Sequence, residues 1–192
     1  VIGCDNDIET AEIKDGTKRI CNSAFYNCSI QNISMPDSLI SIDNHAFFIC
    51  ESLTEVTIPD SVTYIGKSSF AGCKNLETVV LPNALTSIND KMFMYCVNLK
   101  DVAIPDSVTY IGDSVFYDTC LTTVKLSENV KSIGDEAFTV NNELTMWIEN
   151  PECIIGKYAI RGGAVVYGKE NSTAQALSLI HISEPTRLLS IS

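Results

Sequence analysis

A repeat of 22 to 23 residues runs through most of this 192-residue chain and constrains its fold more than any other feature. The nonapeptide IPDSVTYIG stands at 58–66 and again at 104–112, and LPNALTSIN occupies the register halfway between them, at 81–89. Phenylalanine fills one slot in successive units, at Phe25, Phe47, Phe70, Phe93, Phe116 and Phe138. A period of this length is typical of a solenoid, in which each unit buries its apolar face only by stacking on its neighbours.

Several other residue types keep the same phase. Isoleucine precedes each of these phenylalanines by five positions, and cysteine follows four of them by three. Proline recurs at Pro36, Pro59, Pro82 and Pro105. The unit therefore reads L-x-x-V-x-I-P-x-x-V-x-x-I-G-x-x-x-F-x-x-C-x-x. A seventh, degenerate unit places Ile155, Gly156 and Ile160 in the Ile, Gly and Phe slots.

The pattern within one unit predicts its local structure. L-x-x-V-x-I alternates at period two, which indicates a short half-buried strand, and the following proline ends it because proline has no N–H to continue a ladder. V-x-x-I-G predicts a second short extended piece with glycine at the bend. We interpret S-x-F-x-x-C as a single helical or 3₁₀ turn on the return side. The chain is thus predicted to be a repeat solenoid of about seven rungs with stacked, short parallel β-strands.

The charge and hydropathy of the chain exclude two classes of partner. Thirteen Lys and Arg stand against 24 Asp and Glu, which gives a net charge of −11. So acidic a chain gains nothing from phosphate neutralisation, the main source of affinity for nucleic acid. No apolar run approaches the roughly 18 residues that a membrane-spanning helix needs. We expect no nucleic-acid partner and no membrane insertion.

Residue types that carry catalysis or bind metals are sparse. His45 is the only histidine within the repeats and occupies an exposed turn slot, so a Ser–His or Cys–His pair has few ways to form. The eight cysteines include no C-x-x-C pair of the kind that binds zinc. We expect no catalytic residue, no metal site and no cofactor.

The cysteines allow two interpretations. Ladder cysteines in stacked rungs, at Cys28, Cys50, Cys73 and Cys96, would lie about 5 Å apart, within the Cα range of a disulfide. Parallel side chains that run into the core favour buried free thiols instead, because free cysteine behaves as a small apolar residue. Cys21, Cys120 and Cys153 lie off the ladder and receive no role from the pattern.

What remains for function is the outward surface of the strands. Its positions form two stripes and a pair of tyrosines that share one outward slot. The first stripe comprises Asn32, Glu55, Thr78, Asp101 and Thr123, and the second comprises Ser34, Thr57, Val80, Ala103 and Lys125. The tyrosines are Tyr64 and Tyr110. Small polar residues with spaced tyrosines suit a broad protein-binding face, since tyrosine is enriched at interfaces. The alternative is that these are only soluble strand faces.

The repeats resemble the BspA-like, treponemal-type leucine-rich repeat, whose units read close to IPDSVTSIGDSAFSGCSSLTSV. The resemblance covers about residues 8–176, and VVYGKENSTAQAL at 165–177 is similar to the YG…STA stretch that commonly follows the last repeat. It implies a secreted or surface-displayed, non-enzymatic protein, often one that mediates adhesion by binding proteins. A passive spacer that displays another domain is the alternative.

The segments outside the regular repeats are assigned separately. Residues 1–7 are interpreted as a truncated preceding rung, 8–160 as the solenoid and 161–176 as the end segment of the array. From Leu177 to Arg187 the chain reads LSLIHISEPTR, which matches the translation of a transposon-type sequencing adapter at every codon. We therefore assign 177–192 to adapter-derived sequence from an untrimmed metagenomic read, and expect it to be unstructured or loosely packed.

Overall fold

Each repeat forms one rung of a parallel β-solenoid. The structure is a computed structural model that describes residues 9–141, 143–161, 163–169 and 172–173, together with the backbone of 187–190. Most rungs contribute two short strands, one to each of two rows, and every pair of hydrogen-bonded strands is parallel. Paired residues are separated by 20 to 23 positions in sequence, as Glu55 and Thr78 are, so equivalent slots stack directly.

The first row derives from the L-x-x-V-x-I segments. Its strands are β1 (Thr10–Glu12), β3 (Asn32–Ser34), β5 (Glu55–Thr57), β7 (Thr78–Val80), β9 (Asp101–Val102), β11 (Thr123–Leu126), β13 (Thr145–Ile148), β15 (Val165–Gly168) and β16 (Arg187–Ser190). In β5 the central Val56 is buried and both neighbours are exposed, as the predicted alternation requires. The ladder is interrupted between β3 and β5 and again between β9 and β11.

The second row derives from the V-x-x-I-G segments. Its two-residue strands are β2 (Arg19–Ile20), β4 (Ser41–Ile42), β6 (Tyr64–Ile65), β8 (Ser87–Ile88), β10 (Tyr110–Ile111), β12 (Ser132–Ile133) and β14 (Ile154–Ile155). The isoleucine of each strand from β2 to β12 is buried, while the residue before it faces outward. Together the two rows confirm the predicted solenoid of stacked parallel strands.

The return segment corrects the expected helical or 3₁₀ turn. Residues two before and two after the phenylalanine have left-handed backbones, as at His45 (φ 55°) and Ile49 (φ 60°). Between these residues the N–H groups alternate in direction. Phe47 N–H donates to Ser69 O of the next rung at 2.7 Å, whereas Phe48 N–H closes a turn onto His45 O at 3.1 Å. Inter-rung bonding therefore replaces a helix, because it pairs backbone groups that a lone turn would leave unpaired.

The phenylalanine ladder forms the centre of the core. Rings in neighbouring rungs stack with centroids 5.0–5.7 Å apart and interplanar angles of 7–23°. From Phe47 to Phe138 these side chains are completely buried. Phe25 is only partly buried, and it lies in the first rung of the described chain. Such offset stacks contribute beyond the area they bury.

The ladder cysteines divide into two groups. Cys50, Cys73 and Cys96 are buried free thiols, as the second interpretation predicts, and each donates to the carbonyl oxygen of the previous rung's phenylalanine at 2.9–3.2 Å. Cys28 differs: it is disulfide-bonded, so the free-thiol expectation is wrong there. No earlier rung's phenylalanine carbonyl is present for it within the described residues. Of the off-ladder cysteines, Cys21 and Cys120 are exposed and Cys153 is buried.

The last described strand falls inside the segment assigned to adapter-derived sequence. β16 pairs with β15 in parallel, with Val165 opposite Arg187. The pairing is possible because the open edge of β15 presents N–H and C=O groups that any extended backbone can pair with. The expectation of an unstructured or loosely packed tail stays a prediction. Residues 174–186 and 191–192 lie outside the described residues, and the origin of the segment stays a prediction.

Truncation of a ladder phenylalanine should make the solenoid much less stable. We expect Phe70→Ala or Phe93→Ala to lower the free energy of unfolding by about 3–5 kcal/mol, since both rings are fully buried. Chemical denaturation measures the change. Val80→Ala, at a side chain that is 56% exposed, is the matched control and should cost little. A loss below about 1 kcal/mol at either phenylalanine would contradict this packing.

The buried thiols should react only after unfolding. Burial raises the pKa of Cys50 to about 11 and of Cys96 to about 12, and raises the pKa of Cys73 well above its ordinary value. Thiolate is the reactive form, so both access and ionisation protect these residues. At pH 8 a maleimide should label Cys21 and Cys120 in the native fold and the three ladder thiols only in denaturant. Rapid native labelling of all three, or a disulfide among them in a mass map, would refute the assignment.

Candidate binding surface

The structure places all twelve residues of the predicted binding face at exposed positions. Ten follow the first row of strands and form the two predicted stripes, because outward positions alternate with buried ones along each strand. Within a stripe the residues are in register, with Glu55, Thr78 and Asp101 directly stacked. Neighbouring side chains along a stripe are therefore spaced at the inter-strand distance of about 4.8 Å.

The two tyrosines belong to a different row. Tyr64 lies in β6 and Tyr110 in β10, and their side chains are 46% and 37% exposed. Neither strand is hydrogen-bonded to a strand of the first row. The sequence-predicted face is thus divided between the two strand rows, because the chain turns at the proline between the two strands of a rung. The tyrosines form a second candidate surface.

An acidic side chain connects the second surface to its neighbours. Asp90 receives a hydrogen bond from the Tyr110 hydroxyl at 3.4 Å and pairs with the Lys67 amine at 2.6 Å. Partial burial acts to raise the Asp90 pKa, but the hydrogen bonds and charge of Lys67 and the Asp113 N–H outweigh it, so the pKa lies below its usual value. Burial and the charge of Asp90 raise the Tyr110 pKa. Tyr110 is therefore held as a neutral phenol beside a carboxylate.

The sequence analysis missed the continuation of the stripes toward the C-terminal rungs. Lys125 is in register with Trp147, and Trp147 with Tyr167. The Trp147 and Tyr167 rings stack with centroids 5.1 Å apart and an interplanar angle of 7°, and both side chains are half-buried. The signal was available, since a 22-residue step from Lys125 arrives at Trp147. This aromatic pair lies on the same outward face as the stripes.

A groove opens on this face where the ladder is interrupted between β9 and β11. Its volume is about 470 Å³. The lining combines apolar and charged side chains from three rungs, among them Val102, Ile104, Asp106, Glu128 and Glu149. Lys125 also lines it and pairs with Glu149 at 3.0 Å. The groove is a concave site on an otherwise regular strand surface.

The described residues offer few groups that could serve catalysis or bind a metal. His45 is exposed, has a left-handed backbone and packs edge-on against Phe48 with ring centroids 5.5 Å apart. Across the described ranges, no group of three or more His, Cys, Asp or Glu could hold a metal ion. The same part of the chain contains no helix long and apolar enough to cross a membrane.

Stacked parallel strands on a 22- to 23-residue period, with a buried phenylalanine ladder, define a solenoid of the leucine-rich repeat class. The family comparison is more specific. Residues 8–145 match six copies of the BspA type leucine rich repeat region. The chain belongs to that family. No curated protein sequence matches it.

Solved structures share the fold at low sequence identity. A leucine-rich repeat protein of T. pallidum is 24% identical with a TM-score of 0.72, and the match covers 95% of this chain and 87% of that one. A leucine rich cell surface protein of Faecalibacterium prausnitzii is 22% identical, with a TM-score of 0.55 and coverage of 96% and 60%. The pneumococcal vaccine antigen PcpA is 14% identical, with a TM-score of 0.64 and coverage of 96% and 56%. The chain thus spans little more than half the length of the last two.

Proposed function

We propose that this chain is a non-catalytic, adhesion-type protein-binding segment of a larger secreted or cell-surface protein. The observation that carries the proposal is the outward face of the first strand row. Its side chains are exposed from β3 to β11, and those of β5, β7 and β9 stand in register across successive rungs. The surface context of a relative, the F. prausnitzii cell surface protein, supports an extracellular location.

The physical character of this face suits recognition of a protein. The strand backbones are already ordered, so little backbone conformational entropy is lost when a partner binds. The stripes offer acidic, hydroxyl and small apolar groups side by side, at Asp101, Thr123 and Ala103 for example, and they continue into the Trp147–Tyr167 stack. Aromatic residues of this kind are enriched at protein interfaces. The regular spacing allows a partner to contact several rungs at once.

The second surface, at Tyr64 and Tyr110, is proposed to contribute to the same binding. Each tyrosine offers a large, half-exposed ring with only two rotatable side-chain angles, which makes it an efficient contact residue. A partner that contacts both surfaces must extend around the corner between the two strand rows. The tyrosines are therefore tested separately from the stripes.

A panel of purified extracellular proteins, immobilised and probed with the segment, tests this proposal. We expect at least one to bind, and expect Thr57→Glu with Thr78→Lys, one change on each stripe, to weaken that binding at least tenfold. Tyr64→Ala with Tyr110→Ala should weaken it also. All these side chains are exposed, so the melting temperature should stay nearly unchanged. Surface plasmon resonance and thermal melts provide the two readouts.

Tyr26→Ala is the matched control for the tyrosine changes. Tyr26 is 54% exposed but lies on the return segment, stacked on Phe48, away from both strand rows. It should leave binding intact. Full binding by a variant changed at both stripes and both tyrosines would contradict the assigned surface. Failure of the unaltered segment to bind any protein in the panel would favour the role of a passive spacer that displays another domain.

A further inference from the structure

The groove between β9 and β11 has an amphipathic lining. Val102, Ala103 and Ile104 contribute apolar surface from one rung, and carboxylates contribute charge on either side. It forms where units with proline after the first strand give way to units without it. Ser127 occupies the slot held by Pro105 in the previous rung.

The charge of the groove is strongly one-sided. Asp101, Asp106, Glu128 and Glu149 line it together with a single cation, Lys125. The Lys125 amine is already paired with Glu149. Within the described chain, the carboxylates of Asp101, Asp106 and Glu128 make no salt bridge. Three carboxylates therefore remain available to a cationic partner.

The residues beside the groove favour a cation of a particular shape. Lys125 lines the groove, and Trp147 is its register partner in the next rung, where the Trp147 ring stacks on Tyr167. Aromatic rings of this kind attract ammonium and guanidinium groups. The apolar lining matches the methylene stem of a lysine or arginine, and the carboxylates match its charged head. A bare divalent ion needs converging oxygen ligands instead, and across the described residues no group of three or more acidic, His or Cys side chains is arranged to hold one.

We propose that this groove binds an extended, basic peptide segment of the protein partner, with lysine or arginine side chains placed between the carboxylates and the aromatic pair. The inference rests on the proposed protein-binding function and specifies the chemistry of one part of that face. An extended segment fits because the groove runs across neighbouring rungs of parallel strands, from Asp101 to Glu149.

Trp147 provides a direct readout, since it is the only tryptophan in the chain. The probe is a capped peptide of sequence GRGKGRGKG, titrated into the intact segment while tryptophan is excited selectively. We expect a saturable change in Trp147 emission that weakens as salt is raised, because the contacts are exposed and charged. The uncharged peptide GQGQGQGQG should produce no change.

Asp106→Asn with Glu128→Gln removes two of the available carboxylates and should weaken peptide binding about 2- to 30-fold, the range that follows from the loss of two exposed charge pairs. The matched control is Asp37→Asn with Glu9→Gln, which changes the net charge equally. Asp37 occupies the slot of Asp106 in an earlier rung, and both control side chains are exposed. The control variant should bind as the unaltered chain does.

Three results would overturn the inference. They are no saturable change with the basic peptide, equal weakening by the groove and control variants, and equal binding of the basic and uncharged peptides. Displacement of the peptide by millimolar calcium, with a saturable calcium response lost in the groove variant, would reassign the groove to a metal ion and also overturn it. A segment that binds a panel protein through the stripes but fails here keeps the proposed function and loses only this assignment.

Discussion

Stacking of equivalent residues from one rung onto the next is the interaction on which the rest of the structure depends. One rung cannot bury its own apolar face, so each phenylalanine and isoleucine packs on its equivalent 22 to 23 residues away. Each buried ladder thiol donates to a carbonyl oxygen 25 to 26 residues away. Backbone hydrogen bonds run along the same axis, in both strand rows and in the return segment. An insertion or deletion that breaks the period therefore disrupts all of these contacts together.

The same constraint generates the candidate binding surface. Stacking fixes which side chain of each strand points outward, so a substitution in one rung adds to a stripe without disturbing the core. The groove lies where the strand ladder is interrupted between β9 and β11, and apolar and acidic groups line the opening. A regular scaffold thus places an irregular group of side chains at a defined position.

Sequence reasoning succeeded where a slot recurs and failed where geometry departs from the repeat. The Phe47–Phe138 core, the strand segments and the buried Cys50, Cys73 and Cys96 all follow from periodicity. The left-handed backbones at His45 and Ile49 were not predicted, because isoleucine disfavours that conformation and the inter-rung bonds that support it are non-local.

Other failures have the same origin. The division of the candidate face between the two strand rows depends on where each rung bends, which the one-dimensional pattern does not specify. The disulfide at Cys28 occurs at a ladder slot that looks identical to the others in sequence. Asn141 occupies a ladder cysteine slot, and its amide donates to Phe116 O at 2.9 Å. This replacement is explained only by the structure, which shows that the ladder thiols are hydrogen-bond donors.

Removal of one complete rung tests the account most directly. Deletion of residues 59–81 joins Ile58 to Pro82 and keeps every slot in phase, whereas deletion of 59–70 joins Ile58 to Ala71 and shifts the two halves out of register. If rung-on-rung stacking governs the fold, thermal unfolding followed by circular dichroism will stay cooperative for the first deletion, with a lower midpoint, and will lose its cooperative transition for the second. Equal behaviour of the two deletions, in either direction, would contradict the account.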